Sequence, residues 1–170
     1  RRNISYSYRT KDSSKIQNGT ALPWKLEFSA YDGRWWIILY LPHEERTVKA
    51  RLQNICNISL GEKSDIPEDR ILDAINRLLA PEPITLEVTD EKGALERCFT
   101  VFENQLFTET AKLENNRYRL SFDYYCFDES EILRRLLYLG PMVSLKGPED
   151  MKKKLLQMVE TALNQDYYKI

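Results

Sequence analysis

The sequence predicts an α+β fold: a small β-barrel followed by a ferredoxin-like βαββαβ unit with a further C-terminal helix. Three observations lead there. Apolar residues alternate with polar ones through the first 60 residues, and that stretch contains no helical stripe. The pattern changes at Gly61. From Ile84 onward, strand and helix signals follow one another in the order βαββαβα. The chain has 170 residues, of which 42% are apolar, enough for a packed core in one large domain or two small ones.

Ile4, Tyr6 and Tyr8 alternate with Ser5, Ser7 and Arg9, the period of a half-buried strand. Thr10 to Thr20 is polar and ends in Asn18-Gly19, which reads as a loop or hairpin turn. Trp24 to Ala30 reads as a second strand. Asp32-Gly33 signals a hairpin, and Arg34 to Leu41 follows as a third strand. Pro42-His43-Glu44-Glu45 makes a turn, and Thr47 to Ser59 gives another strand region. The domain expectations are a barrel over residues 1–61, a helix-bearing linker over 62–83 and the second unit over 84–170. Within the linker, Ile71, Leu72, Ile75, Leu78 and Leu79 lie at helical spacing over 68–80, stopped by Pro81 and Pro83.

In the second unit, Ile84 to Val88 is a strand and Gly93 to Phe102 a helix. Gln105 to Lys112 and Arg117 to Tyr125 are strands flanking the turn Glu114-Asn115-Asn116. Asp128 is placed to cap the next helix, with Glu131 completing a capping box. That helix stops at Gly140-Pro141, a short strand runs from Met142 to Leu145, and Pro148 opens the last helix. Met151, Leu155, Met158, Val159, Ala162 and Leu163 form its apolar stripe.

Composition narrows the function classes. Residues 1–60 carry 10 Lys and Arg against 5 Asp and Glu, so +5; residues 61–170 carry 15 against 21, so −6. A basic first third suits an anionic partner, although the excess is modest. No apolar run approaches the roughly 20 residues of a membrane span. Cys56, Cys98 and Cys126 are odd in number and lack CxxC spacing, which reads as reduced thiols in a cytoplasmic protein. The opening Arg1-Arg2-Asn3-Ile4 lacks a Met and a signal-peptide stretch, so a preceding domain is expected.

Catalytic signatures are nearly absent. The single histidine, His43, sits in an acidic turn, where a solvated imidazole is the ordinary outcome. The glycines stand singly in turns, with no phosphate-cradling run, and no HExxH, GxSxG or paired-cysteine motif occurs. The expectation is therefore a non-enzymatic chain without a cofactor or metal.

One constellation in the barrel stands out. Trp35 and Trp36 point to opposite faces of their strand, so one can fill the core while the other lies outside, where a ring can stack on a base or ligand. Lys49, Arg51 and Gln53 share one face of the later strand, opposite Val48, Ala50 and Leu52. Cations beside an aromatic surface suit a phosphate or nucleotide. A polar outer face with one tryptophan packed against the second unit accounts for the same residues.

The segment Asp32-Gly33-Arg34-Trp35-Trp36-Ile37-Ile38 resembles the "GRWYL" signature of WYL domains. Pro23 matches the proline that precedes that hairpin, Ala50 to Ile55 is similar to the "FRLDRI" strand, and Ile4 to Arg9 is similar to the first strand. Residues 84–170 resemble the WCX extension that follows many WYL domains. Its motifs are Glu131 to Pro141, similar to "ELxRWLLSFGP", with Pro148 to Met151 and Tyr167 in the last segment. The resemblance implies a bacterial transcription regulator, commonly a homodimer. Its Sm-like barrel would be followed by the ferredoxin-like extension, and a DNA-binding helix-turn-helix would precede both. It also implies an effector site, often for a nucleic acid or nucleotide, at the barrel. Carried over residue by residue, that site comprises Tyr8, Arg9, Trp36 and Arg51, and Lys49, on the same strand face as Arg51, joins them from the residue pattern. The match departs at Trp36, which keeps a stacking face without the phenol; at Gln53 and Asn54, which replace Asp and Arg; and at Thr20, where an arginine is common. A dimerisation scaffold with a degenerate pocket is the alternative.

Overall fold

The computed structural model describes residues 1–9 and 16–164. Nine strands and four helices are found among them. The first group comprises β1 (Arg2–Arg9), β2 (Ile16–Ser29), β3 (Arg34–Leu41), β4 (Arg46–Arg51), β5 (Ile55–Lys63) and α1 (Glu68–Asn76). The second comprises β6 (Ile84–Thr89), α2 (Ala94–Val101), β7 (Phe107–Lys112), β8 (Arg117–Phe122), α3 (Glu129–Leu139), β9 (Val143–Gly147) and α4 (Glu149–Asn164). The chain divides into two compact units, Arg1–Leu78 and Leu79–Ile170, each with its own sheet.

The first sheet is antiparallel, in the order β4-β3-β2-β1-β5. Among the described residues no ladder joins β4 to β5, so the sheet is open and the expected closed barrel is not formed. Its core is the face carrying Ile4, Ala21, Ile37, Leu39, Leu41 and Ala50. Each of these belongs to the apolar half of an alternating strand, which is why a period-two pattern folds onto one face. Gly33 turns the β2–β3 hairpin at φ 66°, a conformation that glycine adopts without steric cost. α1 packs on β4, and Arg70 pairs with Glu45 at 2.9 Å.

Several expectations change. Asn18-Gly19 is not a turn: both residues lie inside β2, which begins at Ile16, and Gly19 pairs with Tyr6. The region read as one strand from Thr47 to Ser59 is broken by a 3-10 turn at Leu52–Asn54. That turn carries the chain from one edge of the sheet to the other. β5 extends to Lys63, through part of the expected linker. α1 ends at Asn76, before Pro81. Residues 10–15 of the expected loop, and Tyr167, lie outside the described residues.

The second unit has the expected element order. Its four-stranded antiparallel sheet runs β7-β8-β6-β9. The strands bury Ile84, Leu86, Val88, Leu120 and Phe122 beneath α2 and α3. Asp128 does not cap α3: its own backbone is helical and its side chain makes no capping hydrogen bond. Glu131 turns instead to Arg135, one helical turn on, in a nearly buried ion pair. The second guanidinium arm of Arg135 donates to the Val101 carbonyl at 2.7 Å, tying α3 to the end of α2. Tyr124 is 7% exposed and belongs to the core, while Tyr125 and Phe127 are half-buried and stack on each other at 5.4 Å. Met151 is buried, but Leu156, Val159 and Leu163 on the same helix are exposed. Among the described residues no helix is long and apolar enough to cross a membrane.

Candidate effector site

Register builds the site. β3 pairs with β2 on one side and β4 on the other, setting Glu27 opposite Trp36 and Trp36 opposite Arg51. The next row sets Lys25 opposite Ile38 and Ile38 opposite Lys49. Directly opposed residues share a face, so Lys25, Glu27, Trp36, Lys49 and Arg51 all lie on the side away from the Ile37–Leu39–Ala50 core. The Lys49 amine stands 5.5 Å, and the Arg51 guanidinium carbon 5.2 Å, from the Trp36 ring centre. Both distances are within cation–π range.

Glu27 anchors the cluster. Its carboxylate pairs with Lys25 and with Lys49, each at 2.9 Å. Burial pushes the Glu27 carboxyl up, but the two ammonium groups outweigh it and hold the group below its ordinary value. Lys49 is thereby committed, with its side chain only 11% exposed. Among the described residues no carboxylate pairs with Arg51. The cluster therefore holds three cations against one carboxylate, and Arg51 carries the uncompensated charge. Trp36 is half-buried, with its indole N–H buried and without an acceptor among the described residues. Neither tryptophan fills the core in the manner expected: Trp35 is 48% exposed and tilts against Phe28, ring centres 5.1 Å apart.

Of the five residues expected at the site, the structure brings together Trp36, Lys49 and Arg51. Tyr8 lies across the sheet from them, packed with Tyr6 against the core. Arg9 is exposed at the end of β1, opposite Ile16. Glu27 was missed; its place two residues after Lys25 on an alternating strand was the available signal.

The core side of the sheet holds a cavity of about 460 Å³. Tyr6, Tyr8 and Gln17 line it from β1 and β2, Leu41, Arg46, Val48 and Ala50 from β3 and β4, and His43 and Glu44 at the turn between those strands. A side chain at Gly19 would place its Cβ 3.0 Å from the Tyr6 ring, so glycine allows that ring to lie over β2. The Asn54 amide donates to the Tyr8 hydroxyl at 3.4 Å. Burial pushes the Tyr6 phenol up, and the Glu44 carboxylate adds to the shift.

No protein-family model matches the chain, and no curated protein does. Among solved structures the chain is similar to one described as a CRISPR Cas-related protein, at 13% identity and a TM-score of 0.53. That likeness covers 94% of this chain and 46% of the other. It is also similar to proteasome accessory factor B/C of Arthrobacter aurescens, at 20% identity and a TM-score of 0.39, over 98% of this chain and 26% of that one. The chain thus spans less than half the length of either neighbour. The first likeness is one of fold, and it extends over nearly the whole chain.

Proposed function

We propose that this chain is the effector-sensing and dimerisation region of a WYL-type transcription regulator, with an Sm-like first unit and a ferredoxin-like WCX second unit. Its effector is an anion, an oligonucleotide or nucleotide, held at Arg51. The observation that carries the reading is the charge excess beside Trp36, where Arg51 rests on the indole face without a carboxylate partner among the described residues. The sequence resemblance supports it at the same positions. Lys49 and Glu27 fix the floor, and Trp36 positions the guanidinium by cation–π contact rather than offering a bare stacking face. The remaining partners follow from the same reading: operator DNA through a preceding helix-turn-helix, and a second copy of the chain in a cytoplasmic homodimer. The exposed Leu156, Val159 and Leu163 of α4 support self-association.

Fluorescence anisotropy of short labelled oligonucleotides, at two salt concentrations, tests the site. Binding should weaken as salt rises, because each phosphate contact releases counterions. Arg51→Ala should lower both affinity and the salt slope. The internal neutralisation of Lys49 by Glu27 favours a second reading, a scaffold that binds no effector. No binding to the wild type at low salt would establish that second reading.

A further inference from the structure

The two faces of the first sheet differ in charge, and Tyr8 stands on the face that Arg51 does not occupy. We propose that the cavity over Tyr6 and Tyr8 is a second ligand site, for an uncharged planar heterocycle of nucleobase to nucleoside size. It is independent of the Arg51 reading, since it lies on the other side of the sheet and selects by different chemistry.

Size comes first. About 460 Å³ lies within the usual range for small-molecule sites. The walls suit a flat ring: two phenol rings two residues apart on one strand face the apolar side chains of Val48 and Ala50 across the cavity. Aromatic walls of this kind stack on any base, since every base has a π-face.

Polar groups supply an edge to read. The Tyr8 hydroxyl accepts from Asn54, which leaves its own proton to donate. The Tyr6 phenol stays protonated through the physiological range, since burial and Glu44 both oppose its ionisation. No hydrogen bond is made by that hydroxyl among the described residues. The Gln17 carboxamide adds a donor and an acceptor.

Charge balance among the described residues opposes an anion. At the rim, Arg46 is paired with Glu44 at 2.5 Å, so the two cancel. Lys49 borders the cavity, but its amine is held by Glu27 on the opposite face. Among the described residues a phosphate entering here would meet Glu44 and no uncommitted Lys or Arg, whereas a neutral base brings no charge to desolvate.

The test is calorimetric titration of the whole chain with adenosine, guanosine, cytidine, uridine, their free bases and their 5′-monophosphates, each at low and high salt. At least one should bind, with a Kd that changes less than about twofold between salts, since no counterion release is involved. Tyr6→Phe keeps the ring and removes the hydroxyl, and should weaken binding about 3- to 10-fold. Val48→Phe should fill the cavity and abolish binding; if that variant fails to fold, Tyr6→Phe alone decides. Oligonucleotide binding should be unchanged by Tyr6→Phe, so failure here and failure at Arg51 are separable. Absence of binding by every nucleoside and base at millimolar concentration overturns the proposal. So does binding that survives a folded Val48→Phe, or a nucleoside affinity that Tyr6→Phe leaves unchanged. A preference for the charged nucleotide that Tyr6→Phe weakens would also overturn it, since the cavity would then be an anion site.

Discussion

Replacing Glu131 should unsettle the second unit more than any surface carboxylate, because of what it leaves behind. Arg135 has 5% of its side chain exposed and Glu131 has 12%. Removing one partner of a buried pair strands a charge away from water, at a cost of about 3–5 kcal/mol. The hydrogen bond from Arg135 to the Val101 carbonyl survives the change and keeps the expected loss near the lower end, about 3 kcal/mol. For a domain of this size each kcal/mol lowers the Tm by about 4–8 °C, so Glu131→Ala should cost more than about 10 °C. Glu131→Gln separates the two possible roles of the residue. A capping-box glutamine still reaches the helix N-terminus, and stability would be largely kept. A charge partner for Arg135 is lost either way. The double variant Glu131→Leu with Arg135→Met removes both charges and should be more stable than Glu131→Ala alone. Thermal and urea denaturation followed by circular dichroism gives the numbers. A Glu131→Gln protein within about 0.5 kcal/mol of wild type would refute the reasoning, as would a double variant less stable than the single.

Other outcomes follow from the same packing. Glu27 has a lowered pKa, so its contribution is full above the ordinary carboxylate value and is lost as pH falls through the folded one. A series of Tm measurements from pH 7 to pH 3 should therefore show a drop below about pH 4.5 that Glu27→Gln flattens, with the variant about 1–2 kcal/mol less stable at pH 7. An unchanged acid limb would count against the cluster. Burial pushes the Cys98 thiol up to about 12, whereas Cys126 is exposed. A thiol reagent at pH 8 should label Cys126 readily, and Cys98 only after denaturant is added; early labelling of Cys98 would contradict its burial. Leu39→Ala, at a position with no exposure, should cost about 2–5 kcal/mol by chemical denaturation. A loss under 1 kcal/mol would place the core elsewhere.

Where a local signal and the global pattern agreed, the sequence was legible. β3 could be bounded at both ends because Asp32-Gly33 and Pro42 flank an unbroken apolar run. Asn18-Gly19 misled because the dipeptide that favours a turn serves another purpose here, leaving room for a ring from the neighbouring strand. The turn at Leu52–Asn54 was passed over because no glycine or proline marks it; the only trace is a slip in the alternation at Gln53-Asn54-Ile55-Cys56. Asp128 and Glu131 had capping spacing, but Glu131 had a better partner in Arg135, and spacing cannot rank the two. The site was half legible for a related reason. Alternation tells which residues share a face within one strand. It does not tell which faces of β1, β3 and β4 coincide, and that depends on register. Lys49, Arg51 and Trp36 came together through the β3–β4 pairing, while Tyr8 fell on the far side.

The pairing of β1 with both β2 and β5 sets an order of assembly. β2, β3 and β4 each pair with the strand next to them in sequence, so the ladder from β1 to β4 can grow as a meander while the chain is being made. β1 keeps one edge unsatisfied until β5 arrives, when Ile4 meets Leu60 and Tyr8 meets Ile55. The final ladder closes a loop of about 50 residues, and the entropy of that closure makes it the slow step for this unit. A nascent chain stalled before Ile55 would hold four paired strands with β1 open at one edge as well as β4 at the other, and the β1 edge would be exposed to whatever extended segment is nearby.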